Sequence, residues 1–270
     1  MDDMFNDARS FNQILSGDAW VMSNASQVDM LKGSSGSIPD YFSPRSRNEL
    51  KGAVDALSPR GDSSTGQFVL IGKWDVSRVT DMRNMFADAK LFKKDLSKWD
   101  LRRVTRMQGM FFNARAFNGD VSKWDVSRVT KMGEVFSGAK SFNQDLSNWN
   151  VAQVDDMSWM FSKASAFNQD LSKWSVGKVI DMQGMFFHAG SFNQDLSNWS
   201  VAKVTNMDAM FSRATSFDRV MCGEAWVRSK ASKRAMFDGS SGSISCDRFQ
   251  PQNNNDLKSA VDRCLDRFVV

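Results

Sequence analysis

The apolar residues of this chain keep a short beat. Val79, Met82, Met85, Phe86 and Ala89 follow one another at steps of 3, 3, 1 and 3, which places five side chains on one face of a helix. Thr80 stands where an N-cap belongs. From Phe92 to Leu101 the spacing changes and Asp and Ser enter, so a bend and a short strand are expected there. Then the beat restarts. Trp74, Trp99, Trp124, Trp149, Trp174 and Trp199 recur every 25 residues, as do Phe92 to Phe192, Met82 to Met182, Phe86 to Phe186, Ala89 to Ala189, and the Leu96, Val121, Leu146, Leu171 and Leu196 column. The expected fold is α/β: a right-handed solenoid of 25-residue strand-helix coils, leucine-rich-repeat-like.

One copy has about eight apolar side chains, each contributing roughly 1.5–3 kcal/mol when buried. Ordering its residues costs about 1.5 kcal/mol apiece. With 25 residues per copy the second total is clearly larger, so a copy is stable only when stacked on neighbours.

A longer repeat overlies the short one. Residues 1–38 align without a gap on 207–244. In both, the Asp column (Asp95, Asp120, Asp145, Asp170, Asp195) gives way to Ile14 or Val220, and the Trp comes two residues late, at Trp20 or Trp226. These are expected to be closing coils, since terminal repeats depart from the rule. "SRNELKGAVDAL" follows the first and "NNNDLKSAVDRCL" the second. Ser46 with Glu49 forms a capping box, and Leu50, Ala53, Val54 and Leu57 an apolar face. The organisation expected is 1–38, closing coils of a preceding array; 39–71, linker with a capping helix at about 46–58; 72–244, main array with its closing coil; 245–270, linker and capping helix of a following array. Such a chain reads as a window from a longer tandem protein.

The 35 basic and 31 acidic residues are interspersed, for a net +4, so no basic stripe is expected and nucleic acid is not an expected partner. No apolar run spans a bilayer and "MDDMFNDARS" lacks a signal-peptide start. Three cysteines, Cys222, Cys246 and Cys264, show no CxxC spacing, against a zinc site; a Cys222–Cys246 or Cys246–Cys264 bridge would favour an exported chain.

The segments "MDAMFSRATSF" and "FNQDLSNWNVAQV" resemble the BspA-like leucine-rich-repeat surface proteins, whose 25- to 26-residue repeat is found in mycoplasma lipoproteins, Gram-positive surface proteins and marine algal proteins. The resemblance implies a right-handed solenoid, a binding or adhesion role for surface members, and no enzyme activity.

The Asp column admits two readings: stacked calcium ligands, or Asx turns in which each carboxylate accepts a backbone N–H beside Ser97, Ser122, Ser147, Ser172 and Ser197. One Asp per coil without a Gly-rich turn favours the turn. His188 is the lone histidine, so no His-based catalytic or metal set has a second member. No cofactor is expected. The positions left for a partner are two rows at one-coil spacing, Lys98, Lys123, Asn148, Lys173 and Asn198, and Gln144, Gln169 and Gln194, with Trp159 as an out-of-register contact residue. The expected function is a non-catalytic module for protein or glycan binding, or adhesion, at a cell surface or matrix. The alternative is an architectural scaffold in an intracellular or organellar assembly. Other expected contacts are neighbouring arrays of the same longer chain, with no direct membrane insertion by this segment.

Overall fold

The structure, a computed structural model, describes residues 3–10, 32, 34, 42–56 and 71–245. Successive copies lie side by side. Parallel bridges join Asp81 to Arg106, Arg106 to Lys131, Lys131 to Asp156, Asp156 to Asp181, Asp181 to Asn206 and Asn206 to Ser232. Each 25-residue coil thus sits one β-spacing, about 4.8 Å, beyond the last.

The helix expected over Val79–Ala89 is absent; overlapping β-turns take its place. The N–H groups of Met82, Asn84, Phe86 and Asp88 donate across to the carbonyls of Arg106, Gln108, Met110 and Phe112 in the next coil. Those of Met85, Ala87 and Ala89 donate three residues back. A helix would turn most of these groups inward along its own axis and take them out of the coil-to-coil ladder, so the stack overrides the local helical spacing. The turns require positive φ at two columns: Asn84, Gly109, Glu134, Trp159, Gly184 and Ala209, and Asp88, Asn113, Gly138, Lys163, His188 and Arg213. Asn, Asp and Gly tolerate that conformation best, and they fill half of these positions.

The apolar beat still selects the core. The repeating Met, Phe and Val columns are buried from Val76 to Met221, whereas the off-column Phe112, Phe187 and Val220 are not. Phe86 to Phe237 form one aromatic ladder with centroids 5.3–5.7 Å apart. Phe92 to Phe217 form a second at 6.0–6.1 Å. The column indoles from Trp99 onward are fixed as well as buried: Trp99, Trp124, Trp149, Trp174 and Trp199 donate Nε1–H to the carbonyl 28 residues earlier, on Ile71, Leu96, Val121, Leu146 and Leu171, at 2.9–3.0 Å.

Helix α1 (Arg47–Ala56) covers the first coil. Ser46 Oγ accepts the Glu49 N–H, and the Glu49 carboxylate accepts the N–H of Arg45, one residue earlier than in the expected capping box. Leu50, Ala53 and Val54 pack into the same core as Ile71 and Trp74. The Arg47 guanidinium donates to the Arg83 carbonyl at 2.8 Å. That carbonyl is the counterpart of Gln108 O, which accepts from a preceding coil; α1 therefore covers an exposed ladder edge.

At the other end α2 (Glu224–Val227) interrupts the closing coil. Trp226 nevertheless donates to Leu196 O at 3.0 Å, across 30 residues. Near the chain start, Asp3 and Asp7 have φ of 55° and 56°, and the Asp7 N–H donates to Lys32 O. Ala209, Arg213 and Asp238, 206 residues on, form the same turn. The second expected capping helix and Cys246 and Cys264 lie outside the described residues.

Candidate binding surface

Each coil turns two neighbouring corners. At the first, Leu96-Ser97-Lys98-Trp99 closes with Trp99 N–H on Leu96 O. Asp95 Oδ1, just before it, accepts the Ser97 N–H. The same bond recurs from Ser122 to Asp120, Ser147 to Asp145, Ser172 to Asp170 and Ser197 to Asp195, at 2.8–2.9 Å. Hydrogen bonds from Ser97 hold the Asp95 carboxyl below the usual 3.8, and Ser122 and Ser147 do so for Asp120 and Asp145. The carboxylates are thus turn acceptors, and among the described residues no group of three or more His, Cys, Asp or Glu could hold a metal ion.

The expected partner row Lys98, Lys123, Asn148, Lys173 and Asn198 occupies the outer position of these corners and is exposed in every coil. The Gln row is not comparably available. Gln144, Gln169 and Gln194 are half-buried, and each Nε2 donates to both the carbonyl and the Oδ1 of Asn118, Asn143 or Asn168 in the preceding coil. Those Asn oxygens also accept the backbone N–H of Asn143, Asn168 and Asn193. The row is an amide ladder within the array. Trp159 is half-buried too: its ring lies over Gly184, where a Cβ would come within 2.3 Å of it, and meets Phe187 edge-on at 5.5 Å. His188 is half-buried beside Phe187, and burial, then Arg213 and Lys163, lower its pKa.

The second corner runs through Val76-Ser77-Arg78-Val79, with Val79 N–H on Val76 O. Its outer residue is Arg78, Arg103, Arg128, Gln153, Lys178 and Lys203 in successive coils, all exposed. The expectation that interspersed charge leaves no basic stripe therefore fails. A 25-residue period carries cations far apart in sequence onto one line, and the acids at the same corner, Asp75, Asp100 and Asp125, act as turn acceptors for the N–H groups of Ser77, Arg102 and Ser127. The signal was present as a column but was hidden by counting charge along the chain.

Residues 1–37, 62–174 and 146–246 match the family described as "Mycoplasma protein of unknown function, DUF285". The chain belongs to that family. It is a repeat protein of a mycoplasma-type family, and its second and third matched segments share 146–174, as expected when one repeat fits in more than one register. Residues 38–61, which include α1, fall outside the matches. No match was found among curated proteins or among solved structures.

Proposed function

We propose that the array is a right-handed solenoid of the BspA-like, leucine-rich-repeat kind, working as a non-catalytic module that binds protein or glycan at a cell surface or matrix. One observation supports this above others: two lines of turn corners expose a polar or charged side chain at each coil, at a spacing fixed by backbone hydrogen bonds. A ligand with a regular repeat can meet such a surface with little further ordering, which lowers one of the costs of association. No helix among the described residues is long and apolar enough to cross a membrane.

The test is to immobilise the folded chain and pass matrix proteins, neutral glycans and acidic glycans over it. Saturable binding that disappears on thermal unfolding supports the module. No saturable binding to any of the three classes at tens of micromolar, with the chain folded by circular dichroism, rejects it in favour of the architectural reading.

A further inference from the structure

We infer that the second-corner row takes a linear acidic polysaccharide, with its sulfate or carboxylate groups laid along the cations and one end received in a recess at the closing coil. This rests on the binding-module reading and names the ligand class for it.

The row continues past Lys203. Ser232 N–H donates to Thr205 O, which sets Lys230, also exposed, beside Lys203 despite the two extra residues of the closing coil. From Arg78 to Lys230 the line is about 30 Å long at roughly 4.8 Å per coil, with a cation in every coil except that of Gln153. Its charge is graded. Three residues before the row stand Asp75, Asp100 and Asp125 in the first coils but Asn150, Ser175 and Ser200 in the later ones. Asp100 is already engaged by Arg102 at 2.7 Å. Positive charge is least compensated toward the closing coil.

There the row opens into a cavity of about 600 Å³ whose lining includes Lys203, Arg228 and Lys230. Its origin is visible in the register. Regular coils place Val151, Val176 and Val201 inward, whereas the closing coil, 27 residues after Val201, has exposed Arg228. With that aliphatic side chain gone and α2 diverting the backbone, a gap remains between the last two coils. The only acid in the lining, Glu224, is paired with Arg228 at 2.9 Å. Two lysines there face no acid of the lining.

Single-stranded nucleic acid fits less well. Its binding grooves stack bases on aromatic rings, and the exposed large apolar residues among those described, Met4, Leu91, Ile180, Val220 and Val227, include no aromatic. A polysaccharide needs only evenly spaced cations and hydrogen-bonding groups.

The experiment compares three chains: the parent, Lys178→Gln/Lys203→Gln/Lys230→Gln, and Lys90→Gln/Arg115→Gln/Lys140→Gln. The last removes equal charge from exposed residues of a different column. Probes are heparin, polygalacturonate, polyglutamate and a single-stranded oligothymidylate, titrated at two salt concentrations because such contacts are screened. We expect the row variant to lose about tenfold or more in affinity for heparin, polygalacturonate or both, and the control variant less than about threefold, at unchanged Tm. The stronger polysaccharide names the anionic group. Equal losses in both variants, or tighter binding of polyglutamate or oligothymidylate, overturn the proposal. If neutral glycans or matrix proteins bind and the acidic polysaccharides do not, the row assignment falls while the module stands; if nothing binds, both fall.

Discussion

A regular coil and the closing coil solve the same problem with different chain lengths. In the coil of Trp149 the indole reaches Val121 O across 28 residues; in that of Trp226 it reaches Leu196 O across 30. The Asp turn is gone, Val220 is exposed, and a four-residue helix fills the extra length. What survives is the indole-to-carbonyl bond and the buried ring. The corner turn is replaceable, whereas the Trp anchor is kept.

This contrast can be broken by experiment. Trp149→Ala should destabilise by about 3–5 kcal/mol, because its ring is buried, stacks with Trp124 at 6.4 Å and holds Val121 O. Trp226→Ala should fall at the low end of that range, since ring stacking contributes a further 0.5–1.5 kcal/mol or so and Trp226, buried and bonded to Leu196 O, stacks on no ring among the described residues. Chemical denaturation of both variants gives the order; a larger loss at Trp226 would reverse the argument. Trp149→Phe keeps an aromatic ring but leaves Val121 O with the Trp124 N–H alone, at about 0.5–1.5 kcal/mol.

Asn168→Ala removes the acceptor of both Asn193 N–H and Gln194 Nε2 and should cost about 1 kcal/mol. Asp218→Ala, one coil beyond Asn193, ends the ladder and should stay within about 0.5 kcal/mol of the parent. Lys163→Gly relieves a φ of 57° and should stabilise by about 0.5 kcal/mol, the αL penalty outweighing the entropy of glycine. A loss there would mean the Lys163 side chain contributes to packing.

The smallest effect is acid sensitivity. The carboxyls of Asp95, Asp120 and Asp145 are held below 3.8 by their serines, so their contribution is fully present above that value and is lost as pH falls through the lower folded value. Tm should be flat from neutrality to about pH 5 and decline below about pH 4. Asp145→Asn, which keeps the Oδ1 acceptor, should soften the decline.

The period, the buried columns, the late Trp and the Asp turns were all legible in the residues, because each depends on contacts that recur in every copy. The helix over Val79–Ala89 was misread because turn ladders and helices bury the same spacing. What distinguishes them is φ, and the Asn, Asp and Gly at 84, 88, 109, 113, 138 and 184 were its trace. Of the candidate surface, the exposure of the Lys98 row was legible, but the Gln row was absorbed into an internal ladder that no single copy can reveal. Arg78 to Lys203 were passed over because their alignment exists only once coils are stacked.

The coil-to-coil ladder also has a mechanical meaning. Because each coil is joined to its neighbours by separate backbone bonds, tension applied along the stack should peel one coil at a time. Each 25-residue coil released adds about 80–90 Å of contour length. Held between two anchor points, the array would lengthen in steps and keep its remaining coils folded, behaving as an extensible tether.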